Sequence, residues 1–250
     1  MFCLGILSLP AAMRMEKVEY KAGDTICEGM VVYDDAFKSR RSGIIIAHQW
    51  KGLTAYERMR AELLAVRGHV VMCADVYGKG VRPDNPKDAA ATAGQYKDDR
   101  NLLRARINAA LAYFSRHRLV RADQIAAIGY CFGGTTVLEL ARSGAAVKGV
   151  VSFHGGLSTP TPEDAKNIKA KVLVCHGADD PFVPAEEVQA FQKEMRDAKV
   201  DWQFVAYGNA VHSFTDTLAG NDNAKGAAYN KDADVRSWRE LKLFLDEVLR

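Results

Sequence analysis

Apolar residues along this chain change rhythm several times, and the changes predict its elements. Residues 18–20 and 26–33, separated by Lys21-Ala22-Gly23-Asp24, predict an antiparallel hairpin at a sheet edge. Residues 43–47, Gly-Ile-Ile-Ile-Ala, are a continuous apolar run, as expected of a strand covered on both faces. Residues 55–67 follow with helical periodicity, ended by Gly68. Strands are then expected at 69–74, 124–128, 147–153, 171–175 and 201–206, and helices at 98–116, 135–143, 185–198 and 232–249. On the last helix Trp238, Leu241, Phe244, Leu245 and Val248 share one face. Repeated strand-helix order predicts an α/β fold with a mostly parallel central sheet flanked by helices and the hairpin at its N-terminal end. Residues 78–96, with Pro83, Pro86 and few periodic apolar positions, are read either as a loop covering a substrate at the sheet's edge or as solvent-exposed filler.

Composition narrows the class without naming a partner. With 250 residues, 48% of them hydrophobic and 26% charged, the chain suits one α/β domain, placed at 16–250. The net charge of +3 comes from interspersed charges without a long basic run, so no nucleic-acid surface is predicted. The five cysteines are odd in number and widely spaced, which argues against a disulfide framework and fits a reducing, cytoplasmic setting. No Cys-x-x-Cys or His-Glu-x-x-His spacing suggests a metal site. The apolar start, residues 1–12, lacks a basic n-region, is short for a signal and precedes Met13 and Met15, so residues 1–15 are read as an over-called or loose segment. No later apolar run is long enough to span a bilayer. Whether the protein is a monomer or a homodimer is left open.

Ligands of such sheets bind beyond the carboxyl ends of the strands, which directs attention to His48-Gln49-Trp50, Asp75-Val76-Tyr77, Cys131 and residues 176–180. Gly129-Tyr130-Cys131-Phe132-Gly133-Gly134 joins a strand to a helix, the outline of a nucleophile elbow. Gly129 and Gly133 leave room where adjoining turns crowd. The helix start aims free N–H groups at the thiol, favouring thiolate and offering an oxyanion site. The Gly-x-Gly-x-x-Gly spacing of a dinucleotide site is not present.

A cysteine nucleophile needs a base, and the base needs an acceptor to orient it. The order nucleophile, acid, histidine is met by Cys131, by Asp179-Asp180 after the strand at 171–175, and by His212 after the strand at 201–206. Adjacent side chains diverge, so only one aspartate faces His212. His69 and His117 are read as partly exposed, and His154 and His176 as satisfying backbone hydrogen bonds rather than binding metal. Trp50 and Tyr77 either line a pocket or pack the sheet's upper edge.

From residue 16 to 249 the chain resembles the dienelactone hydrolase family of α/β-hydrolases. The matching stretches are His48-Gln49-Trp50-Lys51-Gly52-Leu53, Asp75-Val76-Tyr77-Gly78, the elbow, His176-Gly177-Ala178-Asp179-Asp180-Pro181-Phe182-Val183-Pro184, and His212-Ser213-Phe214. The resemblance implies the α/β-hydrolase fold and a Cys131, Asp180, His212 triad, the family's acid standing three residues after the glycine and four before the proline. It further implies an oxyanion hole from the backbone N–H groups of Trp50 and Phe132, and needs no cofactor. Two departures bear on substrate. In dienelactone hydrolase itself a glutamate at the position of Gln49 interacts with the resting thiol, and two arginines bind the substrate carboxylate. Here Lys79 falls near one arginine and Asp216 at the other. Gln49, Tyr77 and Lys79 are accordingly expected to bind substrate or modulate the thiol.

Two functions follow. The first is a cysteine hydrolase cleaving a small-molecule ester or lactone through a thioester acyl-enzyme, with carboxymethylenebutenolidase activity as one form. The alternative is a ligand-binding or redox-responsive protein without turnover, in which Cys131 is trapped or oxidised.

Overall fold

A computed structural model of the protein describes residues 12–250, so the N-terminal segment read as loose lies largely outside it. Within the described residues the boundary expected at 15/16 moves, because the first strand, β1 (Met13–Ala22), already includes Met13 to Met15. These three residues pair with Asp34, Tyr33 and Val32 of β2 (Thr25–Asp34), extending the predicted hairpin at both ends. The central strands are β3 (Arg41–Ala47), β4 (Val70–Ala74), β5 (Val120–Tyr130), β6 (Gly149–Phe153), β7 (Lys171–Gly177) and β8 (Trp202–Tyr207).

Together they form one sheet of eight strands in the order β1-β2-β4-β3-β5-β6-β7-β8. The β1/β2 and β2/β4 pairs are antiparallel, and β4 through β8 are mutually parallel. This is the α/β-hydrolase architecture expected from the sequence. The strand order reverses around β3, where the first β-α unit turns outward and the second inward, and the carboxyl ends of β3 and β5 lie side by side.

Helices α1 (Ala55–Ala65), α2 (Pro86–Asp98), α3 (Arg100–Phe114), α4 (Phe132–Arg142), α5 (Ala185–Asp197) and α6 (Lys231–Val248) cover the sheet. Side chains alternate across a strand, so the apolar run of β3 feeds two cores. Ile45 and Ala47 pack with Leu103, Ile107 and Phe114 of α3 and Leu140 of α4 on one face. Ile44 and Ile46 pack with Leu64 of α1 and Leu241 and Leu245 of α6 on the other.

The segment expected as a covering loop is half helix. Asn85 caps α2 by accepting the Asp88 N–H at 3.0 Å, and Pro86 occupies its first turn. Ala89, Ala90, Ala91 and Ala93 then supply strong helix formers. Of the two prolines that suggested a loop, Pro86 therefore marks a helix start.

Candidate active site

Cys131 sits between β5 and α4 with φ 55° and ψ −117°, a left-handed conformation rare outside glycine. The surrounding turns close tightly. A Cβ at Gly129 would stand 1.9 Å from the Gly133 carbonyl oxygen, and one at Gly133 would stand 2.1 Å from that of Ala47. Only glycine fits either position, which explains the pattern read from the sequence.

The loops after β7 and β8 bring two further groups to the thiol. His212 Nε2 lies 3.1 Å from Cys131 Sγ, and His212 Nδ1 lies 2.8 Å from Asp180 Oδ2. The Asp180 side chain is fully buried while that of His212 is 13% exposed. Asp180 also accepts the Phe182 N–H at 2.9 Å through its other oxygen, fixing the carboxylate plane. Asp179 is exposed and engages the loop through its backbone N–H, donated to the Ala210 carbonyl. The geometry thus selects Asp180 from the two aspartates.

Electrostatics place the proton on the imidazole. Burial is the largest single influence and would raise the Cys131 thiol, but the charge and hydrogen bond of His212, with Lys97 and the Phe132 N–H, together outweigh it, and the thiol is held below its ordinary range. Burial disfavours the imidazolium, yet the thiolate and the Asp180 carboxylate raise His212 to about 10. Both shifts favour the thiolate–imidazolium form of the pair.

Opposite the elbow, the loop after β3 is held by buried polar side chains. Glu57, near the start of α1, accepts the Gln49 N–H at 3.1 Å and the Thr54 N–H at 2.8 Å. His48 is buried and neutral: Nδ1–H donates to the Gln49 carbonyl at 2.6 Å while Nε2 accepts the Val76 N–H at 3.1 Å. Tyr77 donates to the Trp50 carbonyl at 3.0 Å and packs on His48 and Phe132. The loop carrying Trp50 is therefore rigid before any substrate arrives.

Several expectations about substrate residues change. Tyr77 is buried beneath the site, where it holds the Trp50 loop instead of lining the cavity. Lys79 lies outside the site; its side chain is half exposed and pairs with Glu19 on β1. Gln49 donates from Nε2 to Asp216 Oδ2 at 3.1 Å, so the two positions that depart from dienelactone hydrolase meet each other. The second Asp216 oxygen caps a short 3-10 turn at Leu218 N–H. A neutral amide facing a carboxylate keeps this contact polar and complementary.

A cavity of about 510 Å³ opens on the thiol, with Cys131, His212, Trp50, Phe132 and Phe182 among its walls. Its fourth side is α2, which contributes Ala90, Ala93, Gly94 and Lys97, residues spaced to share one helical face. Lys97 falls between the loop expected at 78–96 and the helix expected at 98–116, where the sequence suggests no role for it; it stands in the last turn of α2. Once Asn85-Pro86 is read as a helix start, the spacing from Ala90 to Lys97 supplies the missing signal. His176 is buried against Phe204 and stands outside the triad. His154 is buried beside His212, with ring centroids 5.3 Å apart. Among the described residues no cluster of three or more His, Cys, Asp and Glu could hold a metal ion, and no helix is long and apolar enough to cross a membrane.

Known proteins of similar sequence and structure bear on this arrangement. The solved structure named m3DLH superposes with a TM-score of 0.92 at 40% identity, covering 96% of this chain and 100% of its own. A dienelactone hydrolase-like promiscuous phosphotriesterase from metagenomic libraries superposes with a TM-score of 0.90, again at 40% identity and with 96% and 100% coverage. Among curated proteins, the probable 2-oxo-3-(5-oxofuran-2-ylidene)propanoate lactonase of Bradyrhizobium sp is 26% identical over 216 residues, 82% of this chain and 84% of its own. The dienelactone hydrolase family model matches residues 28–249, a span that takes in the elbow and the loops of Asp180 and His212. With sequence match and superposition agreeing over nearly the whole sheet, the chain belongs to the dienelactone hydrolase family and is a lactone or ester hydrolase.

Proposed function

We propose that the protein cleaves its ester or lactone with Cys131 as nucleophile, through a thioester acyl-enzyme. The observation that carries this reading is the unbroken chain from Cys131 Sγ to His212 to Asp180, at 3.1 and 2.8 Å, facing a cavity. In the first half-reaction the thiolate attacks the carbonyl carbon, and the carbonyl electron pair moves to oxygen. Two backbone N–H groups receive that oxyanion, those of Phe132 and Trp50; the former also helps to lower the thiol. The tetrahedral adduct collapses by breaking the C–O bond, and the departing alkoxide takes the proton from His212 Nε2. With a lactone the alcohol stays tethered, so the final product is a hydroxy acid.

Neutral His212 then removes a proton from water as the water attacks the thioester. Collapse of the second adduct breaks the C–S bond, releases the acid and regenerates the thiolate–imidazolium pair. Asp180, buried and acceptor-only, fixes the Nδ1–H tautomer and stabilises the imidazolium.

The cavity walls define what fits. Alanine, glycine and aromatic surfaces suit an acyl group of modest size, and Lys97 supplies a cation for an electron-rich substituent. Likeness to a phosphotriesterase at 40% identity favours testing a second electrophile, because the same N–H groups could receive a phosphoryl oxygen. The test pairs turnover with intact mass on p-nitrophenyl esters, small lactones including dienelactone, and an aryl phosphotriester. Turnover with a transient adduct on Cys131, abolished in Cys131→Ala, is expected. Full esterase activity in a folded Cys131→Ala protein would sink the mechanism.

A further inference from the structure

His154, one of the chain's six histidines, makes contacts that lead directly to the nucleophile. The Cys131 N–H is shared between the Phe153 carbonyl at 3.0 Å and His154 Nδ1 at 3.1 Å. A backbone N–H can only donate, so Nδ1 carries no proton. The single ring proton therefore sits on Nε2, which donates to Thr215 Oγ1 at 2.8 Å. The Thr215 hydroxyl bonds in turn to Tyr56 Oη at 2.6 Å, and Arg60 donates to both Tyr56 Oη and the Thr215 carbonyl, at 3.2 and 2.8 Å. Arg60 is anchored by Asp234 at 2.7 Å. A buried polar chain thus runs from the elbow amide through the loop after His212 to α1 and α6.

His154 itself is held at φ 39°, an unusual conformation for a bulky residue. That conformation turns the ring under the elbow after β6 ends. The ring is buried and its edge meets His212, so a second positive charge there is excluded by both burial and repulsion. Protonation would also set two donors, Nδ1–H and the Cys131 N–H, against each other.

We propose that His154, as a neutral Nε2–H tautomer, is a positioning residue that holds the Cys131 backbone N–H and thereby sets the distance between the thiol and His212. This inference rests on Cys131 being the nucleophile. His154 touches neither substrate nor the reacting atoms; it acts on the left-handed cysteine whose side-chain direction the elbow fixes. Because the ring is uncharged, its replacement changes no charge beside His212. A change in thiol ionisation on replacement therefore reports geometry.

Two substitutions separate this role from packing. His154→Phe keeps a ring but removes the acceptor, whereas His154→Asn keeps an acceptor near the Nδ1 position and tolerates positive φ. For His154→Phe, kcat on a p-nitrophenyl ester is expected to fall about 10- to 100-fold with KM little changed, the loss typical of a misplaced reacting group. The pH midpoint of Cys131 alkylation is expected to move upward as the ion pair loosens. His154→Asn is expected to recover most of both.

Unchanged kcat and midpoint in folded His154→Phe would overturn the proposal, as would a folded His154→Asn that behaves like His154→Phe. Should His154→Phe fail to fold, Thr215→Val removes the Nε2 partner from the other side. It is expected to move kcat and midpoint in the same directions, and no movement in either overturns the proposal. Alkylation reads the thiol without turnover, and Cys131→Ala tests the nucleophile separately, so failure of one reading is distinguishable from failure of the other.

Discussion

At the scale of single residues, the site's reactivity comes from where one proton rests. Cys131 is held below the ordinary thiol range and His212 is raised to about 10, each because the other is charged and Asp180 stands behind the ring. The sign follows for both limbs of a pH profile. Thiolate is lost as pH falls through the lowered Cys131 value, and the general acid is lost as pH rises through the raised His212 value. Alkylation of Cys131 by iodoacetamide should thus be half-maximal at a pH below the ordinary thiol value of about 8.5, whereas kcat should decline again on the alkaline side. In His212→Gln the main charge that lowers the thiol is gone and burial, the largest influence, is opposed only by Lys97 and the Phe132 N–H, so the alkylation midpoint should rise past that of a free thiol. Intact-mass rates across pH measure both midpoints; a wild-type midpoint at or above the free-thiol value would contradict the ion pair.

Among the elements, α2 decides what reaches the thiol. Gly94 lies on its cavity face, and a Cβ there would meet nothing within 4 Å. Gly94→Ala should stabilise the protein by about 0.5–1 kcal/mol, since glycine weakens a helix interior and no clash offsets the gain. Gly94→Leu should instead fill space opposite Cys131, raising KM for long-chain p-nitrophenyl esters while sparing the acetate. Equal effects on both chain lengths would show that acyl groups do not lie against α2. The same helix marks the limit of sequence reading. β3, the elbow and the order of Cys131, Asp180 and His212 were legible because steric and chemical demands leave few residues for each position. The cavity wall was hidden because α2 is built from alanine, whose small side chains give weak hydrophobic periodicity. Lys79 was misplaced for a related reason: chain position near the site does not fix direction, and its side chain turns to Glu19 at the sheet edge. The choice of Asp180 needed either the family pattern or the loop's coordinates, because spacing alone does not say which of two neighbours turns inward.

For the molecule as a whole, the elbow helix must be held at both ends if the nucleophile is to stay strained. Its first turn is fixed by the glycine contacts, and its last by a buried charge cluster. Arg142 makes a two-pronged contact with Glu194 of α5 at 2.8 and 2.7 Å, reaches Glu139 at 2.9 Å and donates to the Leu157 carbonyl at 2.9 Å. Glu139 in turn accepts from Arg104 of α3 at 2.8 Å. Three helices of one layer, and the loop that follows His154, are thereby joined at a fully buried guanidinium. Replacing it strands the buried Glu194 carboxylate and leaves Glu139 with Arg104 alone, and that uncompensated charge costs more than the net value of the pair. Arg142→Met should therefore lower stability by about 3–5 kcal/mol in urea denaturation. Arg58→Ala, which breaks an exposed pair with Glu62 on α1, should cost no more than about 1 kcal/mol. A doubly neutral variant, Arg142→Met with Glu139→Gln and Glu194→Gln, should recover part of the loss because the stranded charges are removed along with the guanidinium. If the single and triple variants unfolded at the same urea concentration, stranded charge would be excluded as the cause, and lost packing at the end of α4 would account for the whole effect.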